Sequence, residues 1–200
     1  MLSRKSPVPA LRHFALLYLM LRDLRAAVAG LGLVLASSMP MASAQGLLPA
    51  PPNLVTINER LITAGQPSAA WLETLGQRGI EGVIYLAPLS VGDAVPEEPH
   101  ILARQGIEFV HIPITFNRPT GADFDRFSAA MTAMQGKKVL VHCQVNMRAS
   151  SMVFLYRTIV LKEEPQKAFE AVGKVWVPNG VWLRFIHSEL AKNGVVFDVF

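Results

Sequence analysis

Short apolar runs alternate with helical patterns along most of the chain. Residues 60–64, 83–86, 109–112 and 138–142 are apolar segments of the length and composition typical of buried strands. The stretches between them carry apolar side chains at every third or fourth position, which indicates helices. Strands that alternate with helices predict parallel βαβ units. We therefore expect an α/β fold with three layers, in which a mostly parallel sheet of four to five strands has helices on both faces.

Capping residues and glycines determine where the predicted helices begin and end. Ser68 is a predicted N-cap, as is Thr120 or Gly121, and glycines follow the predicted helix ends. The predicted helices begin at Ser68, span 96–104, run from Thr120 or Gly121 to Met134, and cover 149–161, 165–175 and 181–193.

The first 44 residues have the pattern of a secretory leader. Arg22 and Arg25 precede an apolar run, and Ala42-Ser43-Ala44 has the small-residue form of a cleavage site. We predict that residues 1–44 are a signal peptide and that the protein is periplasmic or secreted. The start codon is open between Met1 and Met20. An uncleaved N-terminal membrane anchor is the alternative, but no stable membrane span is expected after cleavage.

Removing this leader changes the interpretation of charge. The chain has 19 basic and 15 acidic residues and a net charge of +4, but five of the basic residues and one acidic residue lie in the leader. The remainder is neutral overall, so composition predicts no nucleic-acid partner. Residues 45–57 are rich in proline and are predicted to be a linker. Residues 58–200 are predicted to form one domain.

The single cysteine lies where a predicted strand leads into a helix. Cys143 follows the apolar segment 138–142, and Arg148 lies close to the start of the next helical pattern. A helix N-terminus and nearby cations stabilise a thiolate, and the same unpaired N–H groups bind anions. A guanidinium can hold two phosphate oxygens at once. This stretch predicts a nucleophile beside an anion site.

The stretch from His142 to the following helix resembles the active-site loop of the cysteine-dependent protein-tyrosine and dual-specificity phosphatases. Residues 61–68 and 82–88 are similar to segments of small bacterial phosphatase-like proteins. The resemblance implies hydrolysis of a phosphate monoester through a phosphocysteine, with Cys143 and Arg148 catalytic, no cofactor, and a phosphorylated protein or small molecule as substrate. The substrate-binding residues that it implies are His142, Gln144, Val145, Asn146, Met147 and Ser150.

Three features depart from this family's pattern. Four residues separate Cys143 from Arg148 where the family usually has five, so either Ser150 or Ala149 stands at the position of its helping hydroxyl. The loop has no glycine, and Asn146 is its one residue that readily takes a left-handed conformation. The stretch 111–119, where the family has its general acid, contains no carboxylate.

The nearest carboxylates to that stretch are Asp123 and Asp125. We interpret them as first-turn residues of a helix, and a role as general acid is the alternative. No spacing of histidine and cysteine predicts a metal site.

Three other interpretations of the cysteine remain open. A rhodanese-type sulfurtransferase has a shorter loop and would carry a persulfide on Cys143. A pseudophosphatase would bind a phosphorylated or anionic partner without turnover, which fits the absent acid. A buried structural thiol is the third, because free cysteine is among the most buried residue types.

Overall fold

The computed structural model describes residues 48–198, so the predicted signal peptide lies outside the described residues. Five strands of four residues each form one sheet, in the order β1-β2-β5-β3-β4. They are β1 (Val55–Asn58), β2 (Leu61–Ala64), β3 (Gly82–Tyr85), β4 (Glu108–His111) and β5 (Val139–His142). Strands β2, β5, β3 and β4 are mutually parallel, while β1 pairs antiparallel with β2 at the edge. The predicted, mostly parallel sheet is confirmed.

Six α-helices are described, and two of them begin at the predicted capping residues Ser68 and Thr120. The Ser68 side chain accepts from the amide of Trp71, and Thr120 accepts from that of Asp123. The helices are α1 (Ala69–Leu72), α2 (Glu98–Arg104), α3 (Gly121–Ala133), α4 (Met147–Leu155), α5 (Pro165–Gly173) and α6 (Gly180–Lys192). A 3₁₀ turn (Gly76–Arg78) lies between α1 and β3, and α4 continues as a π-helix (Tyr156–Val160).

The sheet separates two apolar cores, because successive strand residues point to opposite faces. In β3, Val83 packs with the core of α1 and α2, while Ile84 packs with the larger core of α3 to α6. In β5, Leu140 lies in the smaller core and Val141 in the larger one. The three-layer arrangement is therefore present, with β5 and β3 buried along their whole length.

Two boundaries differ from the predicted ones. Strand β1 begins inside the predicted linker: Val55 is buried against the domain, although the preceding prolines gave the segment the composition of a tether. Helix α4 begins at Met147 and not at Ala149, because Asn146 has a φ of 71° and a ψ of −3° and turns the chain directly into the helix.

Insertion of β5 between β2 and β3 puts the loop after β5 in the middle of the sheet's carboxyl edge. That edge is where α/β sheets bind their ligands. Within residues 48–198, none of the helices combines the length and the apolar character needed to cross a membrane.

Candidate active site

Cys143 and His142 leave β5 on opposite faces of the sheet. Cys143 is fully buried and packs in the larger core, on the side of Val141. His142 is also fully buried, but its ring contacts Glu98 of α2 on the other side. Because the two side chains diverge, His142 is not placed to take the thiol proton directly. The role of His142 follows from its hydrogen bond with Glu98.

His142 belongs to a buried polar network that joins α2 to the loop. Its Nε2 lies 2.7 Å from Oε1 of Glu98, whose side chain is 2% exposed. The other oxygen of Glu98 accepts a hydrogen bond from the Gln66 side chain at 3.1 Å. The backbone N–H of Gln66 then donates to the carbonyl oxygen of Gln144 at 2.9 Å. Gln66 therefore ties the loop after β2 to the loop after β5.

Tyr85 stacks on the His142 ring at the end of β3. The ring centroids are 4.7 Å apart, and His111 stacks on the other side of Tyr85 at 5.1 Å. Burial, followed by repulsion from Glu98 and Asp93, raises the pKa of the Tyr85 hydroxyl to about 12. Tyr85 thus stays a neutral phenol at ordinary pH, and its ring packs between the rings of His142 and His111.

The loop from Cys143 to Arg148 turns at Asn146. This residue is fully buried and takes the left-handed conformation for which the sequence singled it out. Its Nδ2 donates to the carbonyl oxygen of Asn53 at 2.6 Å and to the Thr63 hydroxyl at 3.0 Å. Asn53 in turn donates through its own Nδ2 to the carbonyl oxygen of Val145 at 3.0 Å. The tight turn is therefore fixed by side chains and not by a glycine.

Gly65 allows the two loops to approach at backbone distance. A Cβ at this position would lie 2.7 Å from the carbonyl oxygen of Gln144 and 2.8 Å from the Cβ of Pro52. A larger residue would therefore push apart three segments that meet beside the cysteine. The absence of a side chain at residue 65 therefore has a packing reason.

Arg148 lies in the first turn of α4, beside a cavity of about 310 Å³. Its guanidinium is centred 5.1 Å from the Phe116 ring, its side chain is buried, and its Nε has no partner among the described residues. The first-turn N–H groups of a helix also have no partner within it. The cavity therefore meets a cation and unpaired donors, which together suit an anion. Its lining consists of Phe116, Gln144, Val145, Met147 and Arg148.

The remaining predicted site residues lie around this loop. The hydroxyl of Ser150 is buried and donates to the carbonyl oxygen of Met147 at 3.2 Å, so it serves the first turn of α4. Ala149 is fully buried. Val145 is 40% exposed at the rim of the cavity.

The stretch after β4 contributes an aromatic ring where the family has its acid. Phe116 is 38% exposed and faces Arg148, and its carbonyl oxygen accepts from the Trp182 indole at 2.8 Å. Asp123 forms a capping box with Thr120 and an ion pair with Arg126, which confirms its interpretation as a helix-start residue. Asp125 is exposed on α3. Neither aspartate lines the cavity.

Three site residues were not found from the sequence. Glu98 lies 44 positions from its partner His142, and Asn53 lies 92 positions from Val145. Phe116 lies in the stretch 111–119, where the family pattern points to a carboxylate and not to an aromatic ring. No local sequence pattern predicts such contacts, because they form only when distant segments meet at the edge of the sheet. Among residues 48–198, no cluster of three His, Cys, Asp or Glu side chains is placed to hold a metal ion.

The chain is similar to known proteins over most of its described length. Residues 54–177 match the model of the family described as DSP-PTPase phosphatase fused to NAD+ kinase. A beta-lactamase hydrolase-like protein of Xylella fastidiosa (strain Temecula1) is 31% identical over 123 residues, which is 60% of this chain. The chain spans only 28% of the length of that relative.

Two solved structures show the same fold. A DUF442 candidate phosphatase from Shewanella putrefaciens CN-32 is 29% identical, with a TM-score of 0.65 over 75% of this chain and 96% of that protein. The core catalytic domain of the PP-IP phosphatase SIW14 from S. cerevisiae is 13% identical, with a TM-score of 0.58 over 74% of this chain and 96% of that domain. The second likeness concerns the fold alone. With the family model covering more than half of its length, the chain belongs to the DSP-PTPase family of cysteine-dependent, dual-specificity phosphatase-like proteins.

Proposed function

We propose that this protein is an exported phosphatase that hydrolyses a phosphate monoester through a phosphocysteine intermediate. The observation that carries the proposal is the cavity of about 310 Å³ in which Arg148 and the first turn of α4 meet the loop of the chain's one cysteine. Export rests on the leader pattern of residues 1–44.

The first chemical step transfers the phosphoryl group to sulfur. The thiolate of Cys143 attacks phosphorus, an S–P bond forms, and the P–O bond to the leaving group breaks. Arg148 and the amides at the start of α4 hold the non-bridging oxygens, on which negative charge is spread. In the second step water attacks phosphorus, the S–P bond breaks, and inorganic phosphate and the thiolate are released.

The step in this cycle without an assigned catalytic group is the protonation of the leaving oxygen. A positioned acid typically contributes about 10²–10⁴-fold in rate, and residues 111–119 contain no carboxylate. Leaving groups that are stable as anions, such as aryl oxides, do not need that proton. We therefore expect aryl phosphates to be turned over much faster than alkyl phosphates.

The test combines turnover with trapping of the intermediate. Wild-type protein should release p-nitrophenolate from p-nitrophenyl phosphate and, after an acid quench, should show a phosphorylated species by intact mass. Cys143→Ser should abolish both signals. Thr132→Ala, a substitution at an exposed residue of α3 away from the cavity, should retain them. Equal turnover by wild type and Cys143→Ser would refute the proposal.

A second candidate function is a pseudophosphatase that binds a phosphorylated or other anionic partner. Two observations favour it: the complete burial of Cys143 and the absence of a carboxylate from residues 111–119. Binding of inorganic tungstate, lost in Arg148→Ala and accompanied by no turnover of p-nitrophenyl phosphate, would select this function.

A further inference from the structure

The segment before β1 is built into the loop that carries the cysteine. Asn53 and the loop are joined by two hydrogen bonds: Asn53 Nδ2 donates to the carbonyl oxygen of Val145 at 3.0 Å, and Asn146 Nδ2 donates to the carbonyl oxygen of Asn53 at 2.6 Å. Immediately before Asn53, the carbonyl oxygen of Pro52 accepts from the amide of Gly65 at 2.6 Å. Two consecutive residues of the predicted linker thus contact both loops at the centre of the sheet edge.

The conformation of Asn53 suits this contact. Its φ of 48° is left-handed, as is that of Asn146, and asparagine adopts this region more readily than most residues. Most residues other than glycine, asparagine and aspartate would be strained here. This conformation lets Asn53 offer two groups to the same turn: its backbone carbonyl accepts from Asn146, and its side-chain Nδ2 donates to Val145.

The turn needs outside support, because its own sequence supplies little. The loop contains no glycine and is one residue shorter than is usual in the family, yet it must reverse at Asn146 and enter α4 at once. The carbonyl group of Gln144 accepts from Gln66 of the loop after β2, and that of Val145 accepts from Asn53 of the segment before β1. Fixing these carbonyls fixes the peptide planes between Cys143 and α4.

We propose that Asn53 is a positioning residue of the anion site, which holds the short loop in the shape that brings Val145, Met147 and Arg148 to the cavity. This inference rests on the proposed function in one respect, namely that the cavity binds a phosphate-like anion. Asn53 does not line the cavity and acts through the carbonyl of Val145 and the side chain of Asn146. It therefore predicts an effect on anion affinity from a residue that does not touch the anion.

A glycine substitution tests Asn53 without straining the backbone. Asn53→Gly removes the side chain at a position whose φ glycine adopts freely. Lys162→Gly is the matched control, since Lys162 is exposed and also has a positive φ, of 58°, but lies beyond the π-helix that follows α4. Both variants gain the same freedom in the unfolded chain, so a difference between them reports the side chain.

Two measurements on the full chain are compared across these proteins. Calorimetry gives the affinity for inorganic tungstate, and amide hydrogen exchange gives the opening of peptides that cover residues 143–149. We expect Asn53→Gly to weaken tungstate binding about tenfold and to accelerate exchange in the loop. Lys162→Gly should match wild type in both. Asn53→Asp, which cannot donate to the carbonyl of Val145 and adds a negative charge, should weaken binding further.

The outcomes separate this inference from the proposed function. Unchanged exchange and unchanged tungstate affinity in Asn53→Gly would overturn it, and so would faster exchange with unchanged affinity, since the contact would then be structural only. If wild-type protein binds no tungstate, the proposed anion site fails. The exchange data then decide alone whether Asn53 holds the loop.

Discussion

The two loops that meet at the cavity are built in opposite ways. In the loop from Cys143 to Arg148, both end residues and Asn146 are buried. Hydrogen bonds with Asn53, Thr63 and Gln66 hold this loop. The loop after β4, at residues 115–119, is largely exposed and contributes one ring, that of Phe116, to the cavity. The first loop suits an anion that stays in place. The second offers no group that could pass a proton to a leaving oxygen.

This contrast separates binding from turnover. Phosphate binding needs donors and positive charge, which the first loop and α4 provide. Turnover of an unactivated ester also needs an acid, which belongs to the second loop in the family and is absent here. Substitutions in the first loop should therefore change affinity, and substitutions in the second should change rate.

The largest effect is expected at Arg148. Arg148→Lys keeps the charge but loses the planar fork that binds two oxygens, so kcat/KM for p-nitrophenyl phosphate should fall about 100-fold and tungstate affinity should fall with it. Arg157→Lys is the control, because Arg157 is also buried but pairs with Glu163, whose pKa it lowers. A wild-type tungstate affinity in Arg148→Lys would contradict the role given to the first loop.

A gain of rate is expected from restoring a carboxylate to the second loop. Asn117→Asp changes one exposed residue of that loop and should raise kcat/KM for an alkyl phosphate about tenfold, with little change for p-nitrophenyl phosphate. Steady-state assays on the two substrates measure the difference. If the unmodified protein already turns over both substrates equally, an acid is present elsewhere and the contrast between the loops is wrong.

Asp123 should affect folding and not chemistry. Asp123→Asn weakens the capping box of α3 and the ion pair with Arg126, and should lower the free energy of unfolding by about 1 kcal/mol. Urea denaturation measures this loss. Asp125→Asn, at an exposed position, should change stability by less than about 0.5 kcal/mol. A tenfold fall in turnover in either variant, with tungstate affinity kept, would restore the catalytic interpretation.

The last prediction concerns Tyr85 and applies only at alkaline pH. Its pKa is raised from the ordinary value of 10 to about 12, so the folded state holds the proton more tightly than the unfolded state does. The associated stability is present below pH 10 and is lost as pH rises from about 10 to about 12. In Tyr85→Phe this part of the alkaline loss should disappear. Denaturation at a series of pH values, with wild type alongside, checks the expected flatter profile.

The local sequence pattern is sufficient to predict features whose contacts lie within a few residues of each other along the chain. The strand to His142, the capping residues Ser68 and Thr120, and the left-handed turn at Asn146 follow from short stretches of sequence. Strand β1 was missed because the prolines before it dominate the composition of its segment, although Val55 is buried. The pattern predicts the start of α4 two residues late, because Met147 and Arg148 follow the cysteine in a stretch that is typical of a loop.

Contacts between distant segments were beyond such reasoning. The pairs Glu98 with His142 and Asn53 with Asn146 depend on which strands become neighbours. The order β1-β2-β5-β3-β4 brings the start of the domain beside the loop after β5, and nothing local to residue 53 encodes that order. Residues 142–148 can therefore be predicted from the sequence, whereas their partners Asn53 and Glu98 become apparent only in the fold.

Complete burial of Cys143 also bears on how the protein survives oxidation. It is the only cysteine in the chain, and its side chain is fully covered. Two copies cannot reach the geometry of a disulfide unless the loop opens, because the sulfur atoms must approach to about 2 Å. If the chain is exported as its leader predicts, the same packing that fixes the loop also shields a lone thiol from the oxidants of that compartment.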